Sequence, residues 1–192
     1  TYQYWQPNLR SVSMSMEEAI EGTRHFLLES MRIRLRSDVP LAFCLSGGID
    51  SSALASIASK EFNYDVATFS IIDSDERYNE YENIQATIDD LGCSHTLIEI
   101  PEISTFEKLK KLVEYHDSPV ATISYYIHSL LSESMSAQGY KVAVSGTAAD
   151  ELFTGYYDHF NLYLYEMRYH AEYDRCLTDW TKHLGSLVRN PF

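Results

Sequence analysis

The residues of this chain best suited to chemistry lie in two stretches, and each follows an apolar run. In the first, Leu41-Ala42-Phe43-Cys44-Leu45 leads into Ser46-Gly47-Gly48-Ile49-Asp50-Ser51-Ser52. In the second, Tyr140-Lys141-Val142-Ala143-Val144 leads into Ser145-Gly146-Thr147-Ala148-Ala149-Asp150-Glu151. Glycine lets a backbone turn sharply and come close to a ligand. Ser51 and Ser52 stand at the opening of a helix continued by Ala53-Leu54-Ala55-Ser56-Ile57-Ala58. Unpaired amides and the positive end of the helix dipole would then face the loop. Such a place binds anions. Asp50 and Asp150 supply carboxylates for a divalent cation, since Mg2+ usually takes one or two of them together with substrate phosphates.

The elements that must position these residues can be read from periodicity and caps. A leading arm, 1–14, is irregular. Ser15-Met16-Glu17-Glu18 is a capping box, and Ile20, Leu27, Met31 and Leu35 then mark one helical face. Arg32, Arg34 and Arg36 suit that helix's negative end. After Pro40 the run from Leu41 to Leu45 reads as a buried strand. A second strand is predicted over Asp65–Ile72, its nearly continuous apolar character implying burial on both faces. Asp73–Tyr78 is a loop, Asn79 with Glu82 caps a helix, and Gly92 stops it. Ser94–Ile100 is a third strand, broken by Pro101. Ser104-Thr105-Phe106-Glu107 opens a helix through about Tyr115, a loop holds Asp117-Ser118-Pro119, and another helix runs from Ser124 to Gln138 before Gly139. Tyr140–Val144 is the fourth strand.

This alternation predicts an α/β fold, a doubly wound parallel sheet with a helical C-terminal part, and ligands beyond the strands' C-terminal ends. Residues 15–155 would form the main domain, with 156–192 as its helical extension. Adjacent parallel strands would set Asp50 and Asp150 across one crevice. The extension's aromatic stripe, including Phe160, Tyr163, Tyr169, Tyr173 and Trp180, is expected to pack between helices.

Composition excludes several classes of function. With 192 residues and 45% apolar content the chain suffices for one α/β domain. A net charge of −13 argues against nucleic acid as a partner, because that binding draws on many Lys and Arg contacts. No apolar run approaches bilayer length and no signal peptide is visible. Cys44, Cys93 and Cys176 are widely spaced without a Cys-x-x-Cys, which predicts small buried thiols in a reducing, cytoplasmic setting rather than zinc or disulfides. His25, His95, His116, His128, His159, His170 and His183 show no ligand spacing.

Ser46-Gly47-Gly48-Ile49-Asp50-Ser51 resembles the pyrophosphate loop of the N-type ATP pyrophosphatases. It is not the Walker pattern, which needs Gly-x-x-x-x-Gly-Lys-Ser/Thr. With Thr68-Phe69-Ser70, Asp117-Ser118-Pro119-Val120-Ala121, and Ser145-Gly146 followed by Asp150-Glu151-Leu152-Phe153 and Gly155-Tyr156, the chain resembles the synthetase domain of the asparagine synthetase family. That resemblance spans about Tyr4 to Tyr157 and implies an adenine nucleotide α-hydrolase-like, PP-loop fold using ATP and Mg2+. It places pyrophosphate and Mg2+ on Ser46, Gly47, Gly48, Asp50, Ser51 and Ser52, with Leu45 at the loop's base. Cys44, Ile71 and Gly146 would line adenosine, Ser145 the ribose or α-phosphate, and Asp150 the metal. Glu151 joins Asp50 and Asp150 as a catalytic candidate, while Thr147 and Tyr156 fall on the acceptor side. The acceptor would be a small-molecule carboxylate, aspartate or a sugar uronate, and ammonia would come from a glutaminase domain outside this chain. A homodimer is compatible with this. Because the whole-molecule field repels a polyanion, metal and helix amides must win locally.

The match departs from the family pattern at one place. Members that make asparagine commonly carry Ser-Gly-Glu-Gly-Ala-Asp-Glu, where this chain has Thr147 and Ala148. That puts aspartate in question as the acceptor. The chain opens on Thr1 and is expected to be a piece of a longer amidotransferase, with a glutaminase domain before it and a catalytic Lys after it. Two rival readings compete. A tRNA-modifying PP-loop enzyme would want a basic face and often paired cysteines, and a non-catalytic nucleotide-binding module would bind ATP without pyrophosphate exchange.

Overall fold

A computed structural model describes residues 1–6, 8, 12–72, 80–100 and 105–185. The chain forms two compact units, residues 1–144 and 145–192. In the first, α1 is Met16–Arg34, β1 Leu41–Cys44, α2 Ile49–Ser56, β2 Ala67–Ile72, α3 Tyr81–Leu91, β3 Ser94–Glu99, α4 Thr105–His116, α5 Ser124–Ala137 and β4 Val142–Val144. The second holds α6 Ala149–Phe153, α7 Tyr157–Met167 and α8 Tyr173–His183.

Helix α1 starts where its capping box predicts. The Ser15 hydroxyl accepts from the Glu18 amide at 3.1 Å, and Glu18 accepts from the Ser15 amide at 2.7 Å. The four strands form one parallel sheet in the order β3-β2-β1-β4. Alternation along β1 divides the core. Leu41 and Phe43 pack with Met31, Ala55, Ala58 and Val66, which brings α1 and α2 onto one face. Ala42 packs with Ala67, Phe69 and Met135, so α5 covers the other. The sheet is therefore doubly wound. Ala67, Thr68, Phe69 and Ser70 are all buried, as a strand covered on both sides requires. Removing a side chain such as Phe43 or Phe69 from water contributes roughly 1.5–3 kcal/mol.

Several boundaries differ from expectation, each for a local reason. Strand β4 begins at Val142 rather than Tyr140, because Gly139 turns at φ +90° and the Tyr140 amide still bonds back to Met135 at 3.0 Å. The Tyr140 ring instead meets Phe69 edge-on at 5.5 Å. Helix α2 does not end regularly; Ile57–Glu61 widen into a π-turn. Ile20 is 58% exposed beside an open groove between α1 and that π-turn, so the buried face of α1 begins only at Leu27. In the second unit Tyr169 is 86% exposed, while Trp180 does pack, meeting Tyr157 at 6.0 Å. The aromatic stripe is thus only partly a packing face. The Asp73–Tyr78 loop, Asn79, Pro101 and Ser104 lie outside the described residues. Glu80 is the N-cap of α3, without a side-chain cap bond. Among the described residues, no helix is long and apolar enough to cross a membrane.

Candidate nucleotide-binding site

The chain turns from β1 to β2 and β3 on one side, then returns to place β4 on the other side of β1. Such a reversal opens a crevice beyond the strands' carboxyl ends, where ligands bind in open α/β sheets. The loop Leu45–Gly48 leaves β1 at that edge. Helix α2 starts at Ile49, two residues before Ser51, with Gly48 as an N-cap that lends no side chain. The amides of Ile49, Asp50 and Ser51 therefore have no carbonyl four residues back to bond. The Ser52 amide is engaged, donating to the Gly48 carbonyl at 3.2 Å. Of the two serines assigned to the helix opening, only Ser51 offers a first-turn amide.

The loop is held by its own hydroxyls. The Ser46 amide donates to Ser51 Oγ at 3.1 Å, and Ser51 Oγ donates to the Gly48 carbonyl at 3.2 Å. The Gly48 amide donates to Ser46 Oγ at 3.3 Å, and the two hydroxyls lie 3.0 Å apart. Ser51 is only 6% exposed, so its hydroxyl shapes the loop from beneath. Strand β2 fixes the loop's base: the Leu45 amide donates to the Phe69 carbonyl at 2.9 Å, and the buried Ser70 hydroxyl donates to the Leu45 carbonyl at 2.5 Å. Cys44 and Ile71 are half-buried near the ends of β1 and β2, and burial pushes the Cys44 thiol up.

Gly47 is required here on two grounds. Its φ is +82°, and a Cβ there would stand 2.8 Å from Glu80 Cβ, 3.0 Å from the Glu80 carbonyl oxygen and 3.2 Å from Glu80 Oε2. Glu80 thus lies directly against the loop. Thr87, farther along α3, donates to Ser52 Oγ at 3.2 Å. The sequence offered Ser70 only as part of the motif Thr68-Phe69-Ser70, without a role at the loop, and Glu80 and Thr87 were missed. The available signal for Glu80 was topological: the residue opening the helix after a parallel strand returns to the same sheet edge as the first loop.

The second unit builds the other motif within itself. Ser145 Oγ and Thr147 Oγ1 are 3.0 Å apart. Ala148 has φ +76° and Thr154 has φ +59°, so helix α6 is bracketed by left-handed residues that are not glycine. Asp150 and Glu151 occupy its first turn. A Cβ on Gly155 would fall 1.8 Å from Asp150 Oδ1, so that glycine leaves the room the carboxylate takes. The Tyr156 hydroxyl donates to Glu151 Oε1 at 2.7 Å. This bond holds the Glu151 carboxyl below its usual range and pushes the Tyr156 phenol up. The His159 ring lies 5.3 Å from that of Tyr156.

Among the described residues no group of three or more His, Cys, Asp or Glu could cage a metal ion. Asp50 lies in the first turn of α2 in the first unit, and Asp150 in the first turn of α6 in the second, its carboxylate filling the room that Gly155 leaves.

The chain is 30% identical over 171 residues to an amidase, chyE, of Penicillium rubens, covering 80% of this chain and 25% of that protein. It is 31% identical over 157 residues to the glutamine-hydrolysing asparagine synthetase 1 of Bacillus subtilis, covering 80% of this chain and 24% of that one. It therefore spans about a quarter of these relatives' length. A solved NH3-dependent NAD synthetase from Campylobacter jejuni superposes with a TM-score of 0.44 and 17% identity over 94% of this chain and 89% of that chain, a likeness too loose to build on. The asparagine synthase family model matches residues 22–189, across both units, and on that match the chain belongs to the asparagine synthase family.

Proposed function

We propose that this chain is the ATP-dependent synthetase part of an amidotransferase, which adenylates a small-molecule carboxylate and passes it on to ammonia. The observation that carries the reading is the Ser46–Ser52 loop, closed by its own hydroxyls at the switch edge of the sheet and opening onto the first-turn amides of α2. In the first step an acceptor carboxylate oxygen attacks the α-phosphorus of ATP. The bond from that phosphorus to the bridging oxygen breaks, and its electron pair leaves with pyrophosphate. In the second step ammonia attacks the acyl carbon, the bond to AMP breaks, and a proton is lost to give the amide.

Within this reading Gly47, Gly48 and the Ile49–Ser51 amides cradle the departing pyrophosphate, where fixed dipoles stabilise charge as it develops. Ser46, Ser51 and Ser70 hold that cradle in shape, and Ser52 ties it to α3. Cys44, Leu45, Ile71 and Gly146 are assigned to the nucleoside side and Ser145 to the ribose or α-phosphate. Asp50 and Asp150 are each assigned to Mg2+, which when bound would neutralise phosphate charge. Glu151 and Tyr156, bonded to each other, are assigned to the acceptor side with Thr147. A neutral Thr147 favours an acceptor other than aspartate, a uronate being the alternative. The test is ATP–pyrophosphate exchange by the full-length protein with aspartate and uronic acids as acceptors. Exchange that requires an acceptor and falls at least a hundredfold in Asp50→Asn supports the proposal. Exchange untouched by Asp50→Asn would remove the metal role, and tight ATP binding without any exchange would favour the non-catalytic module.

A further inference from the structure

We propose that Glu80 sets the charge state in which the nucleotide is admitted, so that the loop accepts a polyphosphate already neutralised by a divalent cation and turns away the bare polyanion. The inference rests on the reading that the loop holds pyrophosphate, and adds a selectivity device to it. The attraction on offer is modest: first-turn amides together with a helix dipole equivalent to roughly half a charge. Among the described residues, those hydrogen-bonded to the loop from other elements are Phe69, Ser70 and, through Ser52, Thr87, and Glu80 lies against Gly47. None is a Lys or an Arg. Against the amides stand the carboxylate of Asp50, in the first turn of α2, and that of Glu80.

The Glu80 side chain does not cap α3, and its carboxylate has no ion-pair or hydrogen-bond partner among the described residues. Its Cβ, carbonyl and Oε2 all lie within 3.2 Å of where a Gly47 Cβ would be. The carboxylate therefore stands beside the backbone that a phosphate would approach. At separations near 4 Å, unit charges interact strongly even under surface screening. A carboxylate at that place repels a bare triphosphate and tolerates one whose charge a bound cation has already reduced.

The test is equilibrium binding of ATP to the full-length protein, once with excess chelator and once with saturating Mg2+. Glu80→Gln keeps the packing against Gly47 and removes the charge; Glu80→Lys reverses the charge. Metal-free ATP should bind about tenfold tighter to Glu80→Gln and tighter again to Glu80→Lys. Affinity for Mg-ATP should change less than about threefold in Glu80→Gln. That ordering by charge is not expected of a purely structural residue, and unaltered thermal unfolding of Glu80→Gln checks the fold. If both proteins bind Mg-ATP but metal-free ATP is bound alike, the inference is overturned while the functional reading stands. Weaker Mg-ATP binding with metal-free binding unchanged also overturns it, since Glu80 would then be a metal ligand. If the wild-type protein binds no Mg-ATP, the functional reading itself fails.

Discussion

Ala148 occupies a conformation its side chain disfavours. In the family pattern its position is a glycine, and the backbone here keeps a left-handed φ of +76° although a Cβ is present. Such a φ costs an L-residue roughly 1–2 kcal/mol. Replacing Ala by Gly also frees the unfolded chain, which costs about 0.4–1 kcal/mol. The native-state relief is the larger of the two, so Ala148→Gly should raise stability by roughly 0.5–1 kcal/mol. Thr154, β-branched and at φ +59°, should gain more on the same change. Urea unfolding of the two variants checks this, and a neutral or destabilised Ala148→Gly would refute it. The composition of Ser145–Glu151 showed that a glycine was missing; only the backbone showed that the turn needing it had been kept. The same limit applies to Ser51. Its place in the motif was plain, but a hydroxyl engaged within the loop instead of facing solvent depends on hydrogen bonds between residues five apart, which spacing does not reveal.

At the scale of elements, the sheet was legible because apolar runs, capping boxes and Gly stops agree with one another. What escaped was where strands begin and how helices touch. Tyr140 is apolar enough to extend β4, yet its amide completes the end of α5. The contact between α3 and the loop crosses a stretch of sequence that no local pattern spans. The β2–β3 pairing holds a further consequence. Thr68 and His95 are register partners. The buried Thr68 hydroxyl donates to the Ser94 carbonyl at 3.0 Å, so it accepts from His95 Nδ1–H at 2.9 Å. His95 Nε2 is then buried without a partner among the described residues, and burial lowers the imidazole's pKa. The folded state therefore favours neutral His95. Its contribution is intact above the ordinary value of 6.5 and declines as pH falls through 6.5 toward the lowered folded value. His95→Asn retains a donor toward Thr68 but cannot charge. The variant should lose less stability than wild type between pH 7.5 and pH 5, measured by urea midpoints. Equal losses would show that His95 titrates as freely folded as unfolded.

On the proposed function, the whole molecule is an acid offered to an anion. Its net charge of −13 opposes a triphosphate at long range, while the loop's amides attract it only at contact. Those ranges can be separated by salt, because the screening length falls to about 10 Å at 0.1 M, beyond hydrogen-bond contact but inside the reach of the whole-molecule field. Added salt should therefore weaken the distant repulsion more than the local attraction. Association of Mg-ATP with the 192-residue chain should speed up, by roughly two- to fivefold between about 10 and 150 mM salt, with dissociation changing less. A nucleic-acid partner demands the opposite dependence, since binding through Lys and Arg contacts releases counterions and weakens steeply with salt. Stopped-flow binding at both salt levels decides between them. An association rate that falls with salt would mean that basic groups draw the nucleotide in from a distance, and the division between a repelling body and an attracting loop would have to be given up.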